Sequence, residues 1–121
     1  MSDEIRIDGV AVAPAVLDTI VTLAAQRVEG VAAVGAPGLA GLAQKARKGA
    51  ARAVVVTPDD AENATSLTVA IHIQVTYGAR LKDVARDVQS AIIDDVKSNV
   101  GANVAAVDVF VDGIVFDEHQ A

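Results

Sequence analysis

The chain has 121 residues, 52% of them hydrophobic but only 2% aromatic, with a formal charge of −6 at pH 7. That length fits one domain with a single core, and the acidic balance (pI ≈ 4.6) argues against general nucleic-acid binding, which needs a cationic surface to displace counterions. The absence of cysteine excludes disulfides, thiolate metal sites and a cysteine nucleophile.

With so few aromatics, Val, Ile, Leu and Ala must build the core. Small aliphatic side chains each bury little area, at about 25 cal/mol per Å², so stability has to come from many modest contacts or from assembly. The opening Met1-Ser-Asp-Glu4 lacks the basic and apolar regions of a secretory signal. No apolar run reaches the roughly 18 residues of a membrane span, because Asp18, Gln26 and Arg27 interrupt the best candidate. The expectation is a soluble cytoplasmic protein.

In chain order, Val10-Ala-Val-Ala13 is a short edge strand, with Ile5 and Ile7 as a weaker extension. Pro14 suits the first turn of a helix, where its missing N–H costs nothing. Leu17, Ile20, Val21, Ala24, Ala25 and Val28 then recur at helical spacing up to Gly30, which predicts a helix over 14–29. Residues 35–50 change character, being rich in Gly at the start and basic at the end. Lys45, Arg47, Lys48 and Arg52 are four of the ten Lys and Arg residues. Leu39, Leu42, Ala43 and Ala46 would form one face of a short helix there. Residues 53–57 form a strand, and 58–63 a polar turn.

The clearest pattern in the chain follows. In Ser66-Leu-Thr-Val-Ala-Ile-His-Ile-Gln-Val-Thr-Tyr-Gly78 the apolar residues Leu67, Val69, Ile71, Ile73, Val75 and Tyr77 alternate with Thr68, Ala70, His72, Gln74 and Thr76. Side chains on a strand alternate between faces, so this strand has one apolar and one mildly polar face. A strand buried on both sides would read as a continuous apolar run. Gly78 breaks the pattern, and Leu81, Val84, Ala85, Val88, Ala91, Ile92 and Val96 take up the helical period over about 80–98, closed by Gly101. A last strand at about 103–112 puts Val107, Val109 and Val111 on one face and Asp108, Phe110 and Asp112 on the other, with the tail from 115 onward frayed. The whole predicts a single-domain α+β two-layer sandwich, one mixed or antiparallel sheet with two helices on one face.

Chemistry is sparse. The two histidines, His72 in the strand and His119 in the tail, have no partner at a metal-ligand spacing. Asp94 and Asp95 diverge by about 100° on a helix, and Asp59-Asp60 sit in a turn that favours Asp for backbone reasons. Gly35, Gly38 and Gly41 do not supply the Gly-x-x-x-x-Gly-Lys-Ser/Thr of a phosphate loop. No catalytic, cofactor-binding or metal residue is assigned, and no cofactor. Two sets of contact residues are. Phe110 shares the helix-free face with the uncharged Thr68, His72 and Gln74, and aromatics are enriched in interfaces, so these four form the expected interface. Lys45, Arg47, Lys48 and Arg52 form an expected electrostatic contact with an anionic membrane surface or an acidic partner.

Several segments carry a resemblance. They are Val10-Ala-Val-Ala-Pro-Ala-Val-Leu-Asp-Thr-Ile20, Ala24-Ala-Gln-Arg-Val-Glu-Gly-Val31, Val69 to Gly78 with its closing Tyr-Gly, Val84-Ala-Arg-Asp-Val-Gln89 and Gly101-Ala-Asn-Val-Ala-Ala-Val-Asp-Val-Phe-Val111. Together, from about 8 to 114, they resemble the alkaline shock protein/general stress protein family, also called the envelope stress response family. The chain departs from it at Lys97 and at Asn99-Val-Gly101, where the family has a glutamate and Thr-Gly, and in the segment 35–50. The resemblance implies a non-enzymatic bacterial protein of the cytoplasm, self-associating and held at the inner face of the envelope by a small membrane-anchor partner. It brings no catalytic residues. The rival reading is a small-molecule or regulatory binding domain using a cleft between the Gly-rich segment and the sheet. An enzyme ranks third.

Overall fold

The computed structural model describes residues 4–35 and 53–116. Its elements, in order, are β1 (Ile5–Ile7), β2 (Val10–Val12), α1 (Pro14–Gln26), β3 (Val31–Val34), β4 (Val54–Pro58), β5 (Ser66–Thr76), α2 (Leu81–Val100) and β6 (Asn103–Val115). The α+β two-layer architecture is as expected. α1 lies against β3 and β4, α2 against β6, and the helices touch each other.

β5 organises the sheet. Its buried residues Leu67, Val69, Ile71, Ile73 and Val75 have no exposure, which is the alternation of the sequence expressed as burial. β3 and β4 share one edge of β5 and run antiparallel to it, β4 along Leu67–Ile71 and β3 along Ile73–Val75. They meet at His72, whose backbone N–H donates to Ala53 O and whose carbonyl accepts from Gly35 N, each at 2.8 Å. β6 pairs with the other edge of β5 in parallel, so the sheet is mixed. A parallel neighbour requires a crossover rather than a hairpin, and α2 is that crossover.

Three local readings need correction. Ile5 and Ile7 do not extend a strand with Val10–Val12. They form a separate antiparallel hairpin with it, Ile7 opposite Val10 and Ile5 opposite Val12. The turn is Asp8-Gly9 with φ of 50° and 82°, the positive-φ pair that a two-residue hairpin turn demands. β3 was not foreseen, because four residues are too few to show a period. β6 reaches Val115, past the expected end near 112, and Phe116 stacks on Tyr77 rather than fraying. The expected short helix around 39–46, the four basic residues, His119 and the tail 117–121 lie outside the described residues.

The helix ends follow local physics. Pro14 opens α1, and Asp83 and Lys97 sit in the first and last turns of α2, where each opposes the helix dipole. α1 stops at Gln26, short of 29. Between it and β3 the chain turns at Gly30, with φ of 99°; a Cβ there would lie 2.7 Å from Val84 Cγ2. Glycine is thus required both for the backbone and for the approach to α2.

The core is aliphatic. Leu17, Leu67, Ile71, Ile73, Ile92, Val21, Val69, Val75, Val88 and Val96 are fully buried, each contributing roughly 1.5–3 kcal/mol of transfer free energy. The Arg27–Asp95 ion pair joins α1 to α2 at 2.9 Å, but the Arg27 side chain is 62% exposed, so it adds at most about 1 kcal/mol. Gln89 ties α2 to β6 by donating to Val107 O at 3.0 Å.

Candidate functional site: the helix-free face of the sheet

The parallel register sets β6 residues beside those of β5: Thr68 opposite Ala106, Ala70 opposite Asp108, and His72 opposite Phe110. Since β5 turns its odd-numbered side chains to the helices, these pairs lie on the other face. His72 and Phe110 stack, with ring centroids 4.6 Å apart and planes 14° from parallel. An irregularity after Val111 puts Gly113, not Asp112, opposite Gln74. Asp112 is the extra residue, and its Oδ2 lies 2.8 Å from His72 Nδ1. Bulges characteristically re-aim a side chain in this way.

Gln74 is held as well. Its Nε2 donates to Gly35 O at 3.2 Å, and its side chain lies across Gly113, where any Cβ would overlap Gln74 Oε1. Of the four expected interface residues, His72, Gln74 and Phe110 therefore come together, each side chain positioned by a named neighbour. Thr68 shares the face but stands four residues down the strand, roughly 13 Å away at about 3.3 Å per residue. The stack leaves Phe110 46% exposed. Val55, opposite Ala70 on β4, adds a further exposed apolar side chain to this face.

Two features escaped the sequence reading. The His72–Asp112 contact depends on the bulge, which no period reveals. The Tyr77–Phe116 stack, with centroids 4.7 Å apart, joins a residue counted in the apolar set of β5 to one assigned to the tail. Tyr77 is 62% exposed and Phe116 69%. All the aromatic residues of the chain, one Tyr and two Phe, thus lie outside the core.

One imidazole and one carboxylate fall short of the three protein donors of a catalytic metal site, and among the described residues no three His, Asp or Glu converge to hold an ion. Asp59 and Asp60 do structural work in their turn. Asp59 accepts from the Thr65 hydroxyl at 2.8 Å and from the backbone N–H of Thr65 and Ser66 at 3.0 and 3.2 Å. The Thr65 hydroxyl foremost, with the Ser66 N–H, holds the Asp59 carboxyl below its ordinary value of 3.8. Asp60 accepts from the N–H of Glu62 and Asn63. The expected cleft beside the Gly-rich segment falls on residues outside those described.

Among the described residues, fold and site together define an α+β sandwich with one face of the sheet covered by α1 and α2 and the other bearing the His72–Phe110 stack. The chain belongs to the alkaline shock protein 23 family, of cell envelope-related function, which it matches over residues 3–116. Proteins of this family are stress proteins with no known catalytic activity. No curated protein matches the chain. Among solved structures it is similar to a histidine-to-alanine variant of MamM-CTD, 13% identical, covering 82% of this chain and 95% of that one, with a TM-score of 0.48. A glutamate-to-alanine variant of MamM-CTD gives 13% identity, 83% and 98% coverage and a TM-score of 0.49. A manganese form of a glutamate-to-aspartate MamM CTD variant gives 14%, 82% and 96%, and 0.48. Likeness at this level carries no functional inference. Among the described residues no helix is long and apolar enough to cross a membrane.

Proposed function

We infer that this protein is a non-enzymatic structural module of the cell envelope stress response, acting in the cytoplasm and self-associating through the helix-free face of its sheet. The observation that carries this is the placement of its few aromatic rings. A protein with an aliphatic core and all its aromatics on the surface spends its largest apolar side chains on contact rather than on folding. Phe110 is stacked and Gln74 clamped before any partner arrives, so little side-chain entropy remains to be lost on association.

The family's envelope-related function supports a position near the membrane. Lys45, Arg47, Lys48 and Arg52, clustered in a chain of charge −6, are the contact by which an acidic anchor partner would hold it there. Direct lipid binding is disfavoured, because the remaining surface is repelled by anionic headgroups.

The test is Phe110→Asp. In sedimentation velocity across a concentration series, the wild type should grow in size without added ligand. The variant should stay smaller, with an unchanged far-UV circular dichroism spectrum. A wild type that remains monomeric at high concentration, or a variant that assembles normally, overturns the reading.

A further inference from the structure

A second surface lies at the opposite edge of the sheet from β6. Alternate residues of an antiparallel strand turn both N–H and C=O to the partner. Because His72 N bonds Ala53 O and Asp59 N bonds Ser66 O, and Val54 to Pro58 pair in continuous register with Ile71 to Leu67, residues 53, 55, 57 and 59 face β5. Val54 and Val56 therefore direct their N–H and C=O groups away from it, and Pro58 its C=O. Among the described residues β4 pairs with no strand but β5.

This edge is one wall of an open groove of about 820 Å³, within the range of roughly 300–1,000 Å³ typical of binding sites. Its other walls come from the β1–β2 hairpin, through Glu4 and Ile5, and from the first turns of α1, through Pro14, Ala15 and Asp18. Two features define what fits. The available backbone groups form a row, repeating every second residue at about 6.6 Å, which matches another strand rather than a compact small molecule. The charged residues lining the groove, Glu4 and Asp18, are both acidic, in a chain of charge −6.

We propose that this groove takes an extended segment of a partner protein, added as a strand to the β4 edge, with a Lys or Arg side chain directed at Asp18. Strand addition draws its affinity from main-chain hydrogen bonds and its selectivity from the flanking side-chain sites, and here the selective element is a carboxylate. The inference goes beyond self-association through the bare face and stands without it.

The test uses the full chain, with an acetylated peptide of alternating Val and Lys as probe and a Val/Glu peptide as its counterpart. Hydrogen exchange followed by NMR should show the Val54 and Val56 amides protected at least about tenfold more with the basic peptide, and unaffected by the acidic one. Asp18→Lys should weaken peptide binding by about threefold or more, the upper part of the range for one exposed ion pair, and Asp18→Asn by less. Asp94→Asn, on α2 and outside the groove lining, should leave it unchanged. Absence of protection at Val54 and Val56, equal binding of the acidic peptide, or an Asp18→Lys variant that binds as the wild type overturns the proposal. So does protection of these amides in the peptide-free monomer, which would make the occupant the chain's own residues. Protection that appears only as the peptide-free protein is concentrated would make the occupant a second copy, and overturns it equally.

Discussion

Gly30 offers the sharpest test of the packing between α1, β3 and α2. Gly30→Ala meets two separable penalties. The first is backbone strain: a φ of +99° lies where L-residues are disfavoured, at about 1–3 kcal/mol. The second is crowding: the new Cβ would stand 2.7 Å from Val84 Cγ2 and 3.3 Å from Ala79 Cβ, and overpacking of this kind costs roughly 1–3 kcal/mol. Gly78 supplies the control, because its φ of +97° is nearly the same while nothing lies within 4 Å of its missing Cβ. The unfolded-state gain from replacing Gly, about 0.4–1 kcal/mol, is common to both and cancels in the comparison. Urea denaturation should therefore place Gly30→Ala about 1–3 kcal/mol below Gly78→Ala. Introducing Val84→Ala removes the offending methyl, so in that background the extra cost of Gly30→Ala should shrink towards that of Gly78→Ala, a non-additivity read from a double-mutant cycle. Equal costs for the two glycines, or a cycle without coupling, would refute the crowding argument.

Ile71→Ala and Ile92→Ala, both at fully buried positions, should each cost roughly 2–5 kcal/mol, whereas the exposed Thr68→Ala should be near neutral in the monomer; chemical denaturation giving the reverse order would mean that the faces of β5 are exchanged. Asp59→Ala should lower stability at neutral pH and flatten its acid dependence. A carboxyl held below 3.8 when folded contributes stability above that value and loses it as pH falls through the lower, folded value. Thermal melts from pH 5 downward with the same slope for both proteins would remove Asp59 from that role. Replacing Lys45, Arg47, Lys48 and Arg52 together by Gln should reduce recovery with the membrane fraction and its sensitivity to salt, since exposed charges are screened beyond ~8 Å at physiological ionic strength. Strong sedimentation of the pure wild-type protein with anionic vesicles would instead point to lipid as the partner.

Much of this molecule was legible one element at a time. Alternation along 66–77 marked β5 and both its faces, because a strand's period of two reports burial directly. The i, i+3, i+4 spacing marked α1 and α2, with Pro14 opening the first and Gly101 closing the second through a left-handed cap. Asp8-Gly9, with Ile5 and Ile7 before it and Val10 and Val12 after it, carried a hairpin signal that reading Ile5 and Ile7 as an extension of the same strand passed over. Tertiary structure decided the rest. A period of two names a strand's faces but not its neighbours, so nothing local could place β6 parallel to β5 or set β3 and β4 end to end along its other edge. The bare face shows the difference most directly. Sequence alone put His72, Gln74 and Phe110 on it, since alternation assigns sides. Only the register of β6 stacked Phe110 on His72, and only its shift at Asp112 brought a carboxylate to the imidazole, because pairing between strands 40 residues apart is settled by how the whole chain closes around its core.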